Sequence, residues 1–169
     1  MDTTLTVQAP VTPHQAAPKV RSCVFMLAGE PFAVALDATR EIVTIDECTK
    51  VPLAPPMVLG VMNLRGTLVP LVDVRTVLGL PAGANRPRLA LLLVAEGLQF
   101  AMAIDRVVGL AALNELPGLR DTARRRFGEC GIGVAEMGDL LPTLLDARSI
   151  ARSLMAPARS STHAPAERE

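Results

Sequence analysis

The sequence predicts a mainly β protein: two similar, small five-stranded β-barrels packed on each other, with short helical pieces. Three observations lead there. Short apolar segments alternate inward and outward residues and end at turn signals. The order of these segments is repeated once along the chain, with a period of about 70 residues, the length of a small five-stranded barrel. Half of the 169 residues are apolar, yet there is no Trp or Tyr and there are four Phe. A core built from Leu, Val, Ile and Ala suits the narrow interior of small barrels.

The first strand is read over Cys23 to Leu27, followed by a turn at Gly29-Glu30 and a second strand in which Phe32, Val34 and Leu36 share one face. The stretch Gly60 to Arg75 is the most informative in the chain. It reads as a strand (Val61 to Leu64), a turn at Arg65-Gly66 and a returning strand (Leu68 to Val72). Gly66 supplies the positive φ that a tight hairpin needs. Asp73 stands where a helix N-cap belongs, before Val74 to Leu78, and Gly79 is placed to close that helix.

Leu80 to Pro87, rich in Pro, Ala and Gly, is the expected joint between halves at approximately 20–80 and 88–155. The pattern then begins again. Leu89 to Ala95, the turn at Glu96-Gly97, and Phe100 to Asp105 answer the first hairpin. Asn114 to Phe127 interrupts the strands and carries Arg120, Arg124, Arg125 and Arg126, read as a solvated loop or short helix face. Gly133 to Pro142 echoes the Gly60 to Pro70 unit, and Asp146 is placed to cap a last helix, Ala147 to Met155. Residues 1–19 and 156–169 are poor in periodic apolar residues and are expected to be disordered tails. A strand could still be exchanged between the halves.

The function classes excluded are broad. Seventeen basic residues balance seventeen acidic ones, so there is no steering toward nucleic acid or an anionic membrane. The longest strictly apolar run, Leu89 to Ala95, is far shorter than the ~20 residues that span a bilayer. Both histidines, His14 and His163, lie in the tails, which removes His-based catalysis and any His/Cys metal constellation. No phosphate loop occurs, and Glu136 stands where a Gly-x-Gly-x-x-Gly would need its last glycine. No catalytic residue, metal or cofactor is therefore expected. The three cysteines form no C-x-x-C pair and, with no secretory leader pattern, are read as reduced cytoplasmic thiols.

With these residues in view, Gly60 to Arg75 closely resembles the signature of the CheW-like chemotaxis coupling family, a Gly-Val-x-Asn-Leu-Arg-Gly hairpin followed by a Pro-aliphatic-aliphatic-Asp-aliphatic-Arg strand end. The likeness extends through a Phe32 to Ile42 strand, the Leu89 to Ile104 hairpin, Asp105-Arg106-Val107 and the Gly133 to Asp146 unit. The resemblance implies two five-stranded SH3-like barrels. It implies a non-enzymatic adaptor that joins the cytoplasmic tip of a chemoreceptor to the regulatory domain of a CheA-type histidine kinase, and that can pack on other CheW-like domains. Such a protein would be cytoplasmic and recruited to receptor arrays, without membrane insertion.

The resemblance places Arg65 at the receptor-binding groove, with Asn63 and Gly60 shaping its hairpin and Thr39, Glu41 and Val107 lining the groove. Thr39 stands where an aliphatic residue is expected. Two other readings are kept: a divergent relative serving a parallel motility pathway without coupling the kinase, and a small β-barrel enzyme or nucleic-acid binder.

Overall fold

The computed structural model describes residues 19–156. Apart from Lys19 and Ala156, the tails, with His14 and His163, lie outside the described residues. Ten strands form two five-stranded sheets. In chain order they are β1 (Val20–Leu27), β2 (Glu30–Ala35), β3 (Thr39–Thr44), β4 (Val58–Leu64), β5 (Thr67–Val72), β6 (Leu89–Ala95), β7 (Leu98–Ile104), β8 (Arg106–Glu115), β9 (Gly131–Glu136) and β10 (Thr143–Leu145). Three short helices are added: α1 (Arg75–Leu78), α2 (Arg120–Phe127) and α3 (Ala147–Met155).

The halves of the sequence do not coincide with the sheets. One sheet closes into a barrel in the order β1-β2-β10-β9-β8, and the other runs β3-β6-β7-β5-β4. Each sheet thus takes the first two strands of one half and the last three of the other. The exchange is reciprocal: β2 pairs parallel with β10, and β7 pairs parallel with β5. The crossing points are Leu36 to Ala38, between β2 and β3, and Asp105, between β7 and β8. Neither has the Gly-bearing two-residue turn that would fold the strand back on its neighbour, so the chain carries on into the other sheet. The run Phe32 to Ile42, read from sequence as one strand, is two strands in two different sheets, broken by this crossing.

The three tight hairpins share one device. Ala28-Gly29, Arg65-Gly66 and Glu96-Gly97 have both central residues at positive φ, the backbone of a type I′ turn whose twist matches the flanking strands. The first turn therefore falls one residue earlier than Gly29-Glu30.

Successive side chains of the paired strands point alternately into two different cores. Phe100, Met102 and Ile104 of β7, Leu91 and Leu93 of β6, and Cys23, Phe25, Phe32 and Val34 of β1 and β2 meet in one central layer between the sheets. Their neighbours turn inward: Ala101, Ala103, Ala90 and Leu92 inside the open sheet, Val24 and Ala33 inside the barrel. All four phenylalanines are in the central layer, with Phe25 and Phe32 stacked at 6.2 Å and Phe32 edge-on to Phe127 at 5.3 Å. The interiors of the two sheets hold aliphatic side chains of mixed size, from Ala to Leu and Met, and none of the phenylalanines, which suits their narrow bore. The apolar rows are therefore buried on both sides, and the largest side chains fill the joint between the sheets.

One polar network crosses that joint. Arg75 is only 4% exposed. Its Nη1 donates to both carboxylate oxygens of Asp73 at 3.1 Å, and its Nη2 donates to Asp105. Asp105, at the β7–β8 crossing, in turn accepts the Ala28 N–H of the β1–β2 turn at 2.7 Å. Asp73 also accepts the Arg75 N–H at 3.0 Å, so it still serves the start of α1, but Val74 occupies the helix boundary. A buried guanidinium is tolerated only when its charge is paired, and here the pairing ties α1 to both sheets. Replacing Arg75 with Ala leaves two carboxylates facing a cavity. The expected cost is about 3 kcal/mol of unfolding free energy, measurable as a lower urea midpoint.

Candidate functional site

The β4–β5 hairpin and the strand facing it make the best-defined surface feature of the open sheet. Asn63 Oδ1 accepts the Gly66 N–H at 2.8 Å and fixes the turn. Arg65 reaches back across the sheet's gap: its Nη1 and Nη2 donate to Glu41 Oε1 and Oε2, each at 2.8 Å. Glu41 lies on β3 and Arg65 at the tip of β4, and these strands are the two edges of the sheet. The bidentate pair therefore clasps one edge to the other. Glu41 raises the basicity of the Arg65 guanidinium by hydrogen bonding and by its charge. The clasp does not bury the arginine, whose side chain is 74% exposed against 32% for Glu41. The result is a guanidinium held in one geometry and presented to solvent.

A second contact ties β4 to the connection that leads into it. Thr49, in the long β3–β4 connection, exchanges two backbone hydrogen bonds with Val61, at 2.9 and 2.8 Å. Gly60 makes this approach possible. A Cβ at Gly60 would stand 2.4 Å from the Thr49 carbonyl oxygen and 2.5 Å from Cys48 Sγ, closer than atoms can pack. Gly60 therefore serves a close contact within the chain.

The remaining groove candidates are not all brought to this place. Thr39 opens β3, and its hydroxyl donates to the Ala35 carbonyl at 3.0 Å, so its polar atom is satisfied within the chain. Val107 belongs to β8 of the closed barrel, where it pairs with Phe25 and packs against the central layer. At the far end of the chain, Asp146 sits at the N-cap of α3 and accepts the Arg148 and Ser149 N–H groups, each at 3.2 Å. Sequence reasoning missed Arg75 altogether. Its Asp-x-Arg spacing from Asp73 was visible, but nothing local announces that Asp105 completes the pairing.

No group of three or more His, Cys, Asp or Glu placed to hold a metal occurs among the described residues, and none of the described helices is long and apolar enough to cross a membrane. The cysteines are free. Burial pushes the thiols of Cys23 and Cys130 upward, Cys130 to about 11, helped by Asp146 and Glu129. Taken together, the fold and this surface define a two-sheet β protein whose β4–β5 hairpin presents an exposed arginine braced by Glu41.

The chain belongs to the CheW-like domain family, whose model matches residues 21–154. It is similar to the chemotaxis protein CheW of Bacillus subtilis (38% identical over 58 residues, 34% of this chain and 37% of that one). It is similar also to CheW of Rhizobium meliloti (37% identical over 86 residues, 51% of each chain), so the matched segments span about half or less of these two relatives. The match to CheW of Thermotoga maritima is longer and weaker, 23% identical over 122 residues, 72% of this chain and 81% of that one. In fold it resembles the crystal structure of the scaffolding protein TtCheW from Thermoanaerobacter tengcongensis, at a TM-score of 0.65, with 21% identity, over 78% of this chain and 91% of that one.

Two measurements check the site's internal logic. Gly60→Ala should lose on the order of 2 kcal/mol of stability, seen by chemical denaturation, because the Thr49 backbone has to move. A thiol-reactive disulfide reagent at pH 8 should label Cys48, the one cysteine that is not buried, first in the native protein. Cys130, with so little thiolate at that pH, and Cys23 should react only after denaturation.

Proposed function

We propose that this protein is a non-enzymatic chemotaxis adaptor that links the cytoplasmic tip of a chemoreceptor to a CheA-type histidine kinase. Family membership and the relatives' role as chemotaxis and scaffolding proteins support this reading. The observation that carries it is the arginine on the hairpin. Arg65 is fixed by Glu41 and Asn63 rather than left to wander, yet most of its surface is open. A preorganised arginine loses little rotamer freedom on binding and can donate through its Nε and outer N–H groups in a fixed fork. It suits the centre of an interface with a helical receptor tip, where arginines commonly anchor binding. Glu41 and Asn63 would act by positioning it. Recruitment to membrane-associated arrays would follow from receptor binding.

The test is reconstitution of receptor fragment, kinase and this protein. Receptor-dependent kinase activation should appear only when the protein is added. Arg65→Glu should fold as the parent does, since a solvent-exposed ion pair contributes little to stability, and should lose receptor binding about 30-fold or more. In the swapped variant Arg65→Glu with Glu41→Arg the clasp is restored with its polarity reversed. Binding should stay lost; its recovery would assign the effect to closure of the sheet edges and would overturn Arg65 as the contact. Receptor binding without kinase activation would instead favour the divergent, non-coupling relative.

A further inference from the structure

Four non-glycine residues take positive φ among the described residues: Ala28, Leu53, Arg65 and Glu96. Three of them precede the glycine of a hairpin turn, which explains their backbone. Leu53, at φ 61°, belongs to no hairpin. It lies in the connection from β3 to β4, where the Ala54 N–H donates back to the Val51 carbonyl at 3.4 Å. Pro52 in the second place and a positive φ in the third are the pattern of a type II turn, whose third place is normally Gly or Asn. A leucine there is strained, because its Cβ crowds the main chain. Its side chain recovers nothing by packing, since Leu53 is fully exposed.

The turn is anchored on both sides. Before it, Thr49 exchanges its two backbone hydrogen bonds with Val61. After it, the Pro55 carbonyl accepts the Val58 N–H at 2.8 Å, the Met57 carbonyl accepts the Asp73 N–H at 2.7 Å, and the Met57 side chain is buried. Pro52, Pro55 and Pro56 restrict the backbone between these anchors. An apolar side chain held in full exposure on a strained, anchored turn does not serve the fold, and strain of this kind collects at contact sites. We infer that Leu53 is the apolar anchor by which this protein docks on the regulatory domain of its kinase, entering a leucine-sized aliphatic pocket there.

Position and chemistry select this partner. Asp73, which holds Met57, ends the β4–β5 ladder that opens at the Arg65 turn, roughly 20 Å away at 3.3 Å per residue. A protein seated over Leu53 therefore leaves the Arg65 tip to the receptor, and an adaptor that joins two proteins needs two such separate surfaces. A single projecting side chain calls for a concave receiver, which a folded domain supplies. A bilayer does not fit: one leucine buries too little apolar area to hold a protein there, and the exposed Asp46 and Glu47 of the same connection oppose an anionic surface. The anchored turn keeps the ordering cost of docking low. The identity of the partner rests on the adaptor reading, whereas the strain and exposure of Leu53 do not.

The test titrates the full chain by calorimetry with the kinase regulatory domain and, separately, with the receptor fragment. Leu53→Gly relieves the backbone, so its thermal midpoint should equal or exceed that of the parent. Its kinase binding should nevertheless weaken about tenfold or more, the contribution of one buried leucine. Leu53→Asn, which also tolerates positive φ, should behave in the same way. Leu53→Met keeps the apolar bulk and should bind within about threefold of the parent. All three should bind the receptor fragment as the parent does. Kinase binding by Leu53→Gly at the parent's strength would overturn the inference and leave the adaptor reading standing. So would loss of receptor binding in place of kinase binding, or sedimentation with phosphatidylcholine–phosphatidylglycerol vesicles that Leu53→Gly abolishes. A parent chain that binds no kinase domain would overturn the adaptor reading, and this inference with it.

Discussion

Everything in this fold depends on the chain crossing from one sheet to the other after its second and seventh strands. Because the crossing is reciprocal, neither sheet is complete without strands from both halves of the sequence. The central hydrophobic layer follows from that exchange. Strands β1, β2, β6 and β7 are buried on both faces, and the large side chains collect where the two sheets meet. Separating the sheets would expose all four phenylalanines and leave each sheet short of strands, so the two halves are expected to fold as one cooperative unit.

The crossing also creates a problem that Arg75 resolves. Two short connections and the start of α1 converge at the joint, and their carboxylates would otherwise be left partly buried without a counter-charge. One guanidinium binds Asp73 and Asp105, and Asp105 holds the β1–β2 turn through the Ala28 N–H. At the opposite edge of the open sheet a lighter device is used. There Gly60 lets the Thr49 backbone approach, and the Arg65–Glu41 pair clasps the edges without burying charge. A buried arginine fixes the fold, whereas the braced arginine of the hairpin stays exposed to solvent. The pseudo-repeat does not extend to this surface, because Glu136, Met137 and Gly138 stand in the second copy where Asn63, Leu64 and Arg65 stand in the first.

The sequence by itself determined the local structure. Alternating apolar residues located most of the strands, Arg65-Gly66 and Glu96-Gly97 located two of the hairpins, and Asp146 marked the start of the last helix, because each depends on residues a few positions apart. The Gly60 to Arg75 motif was distinctive enough to indicate the family and to single out Arg65. What it could not determine was which strands pair across the repeat. The two halves carry nearly the same pattern, so pairing within a half and pairing between halves bury similar residues. Only the tertiary structure decided in favour of exchange, through connections at Leu36 to Ala38 and Asp105 that lack a hairpin turn. The same holds for Glu41 as the partner of Arg65 and for Asp105 as the partner of Arg75. Each of these pairs is more than twenty residues apart in sequence, and contacts at that range are set by where the sheets put them.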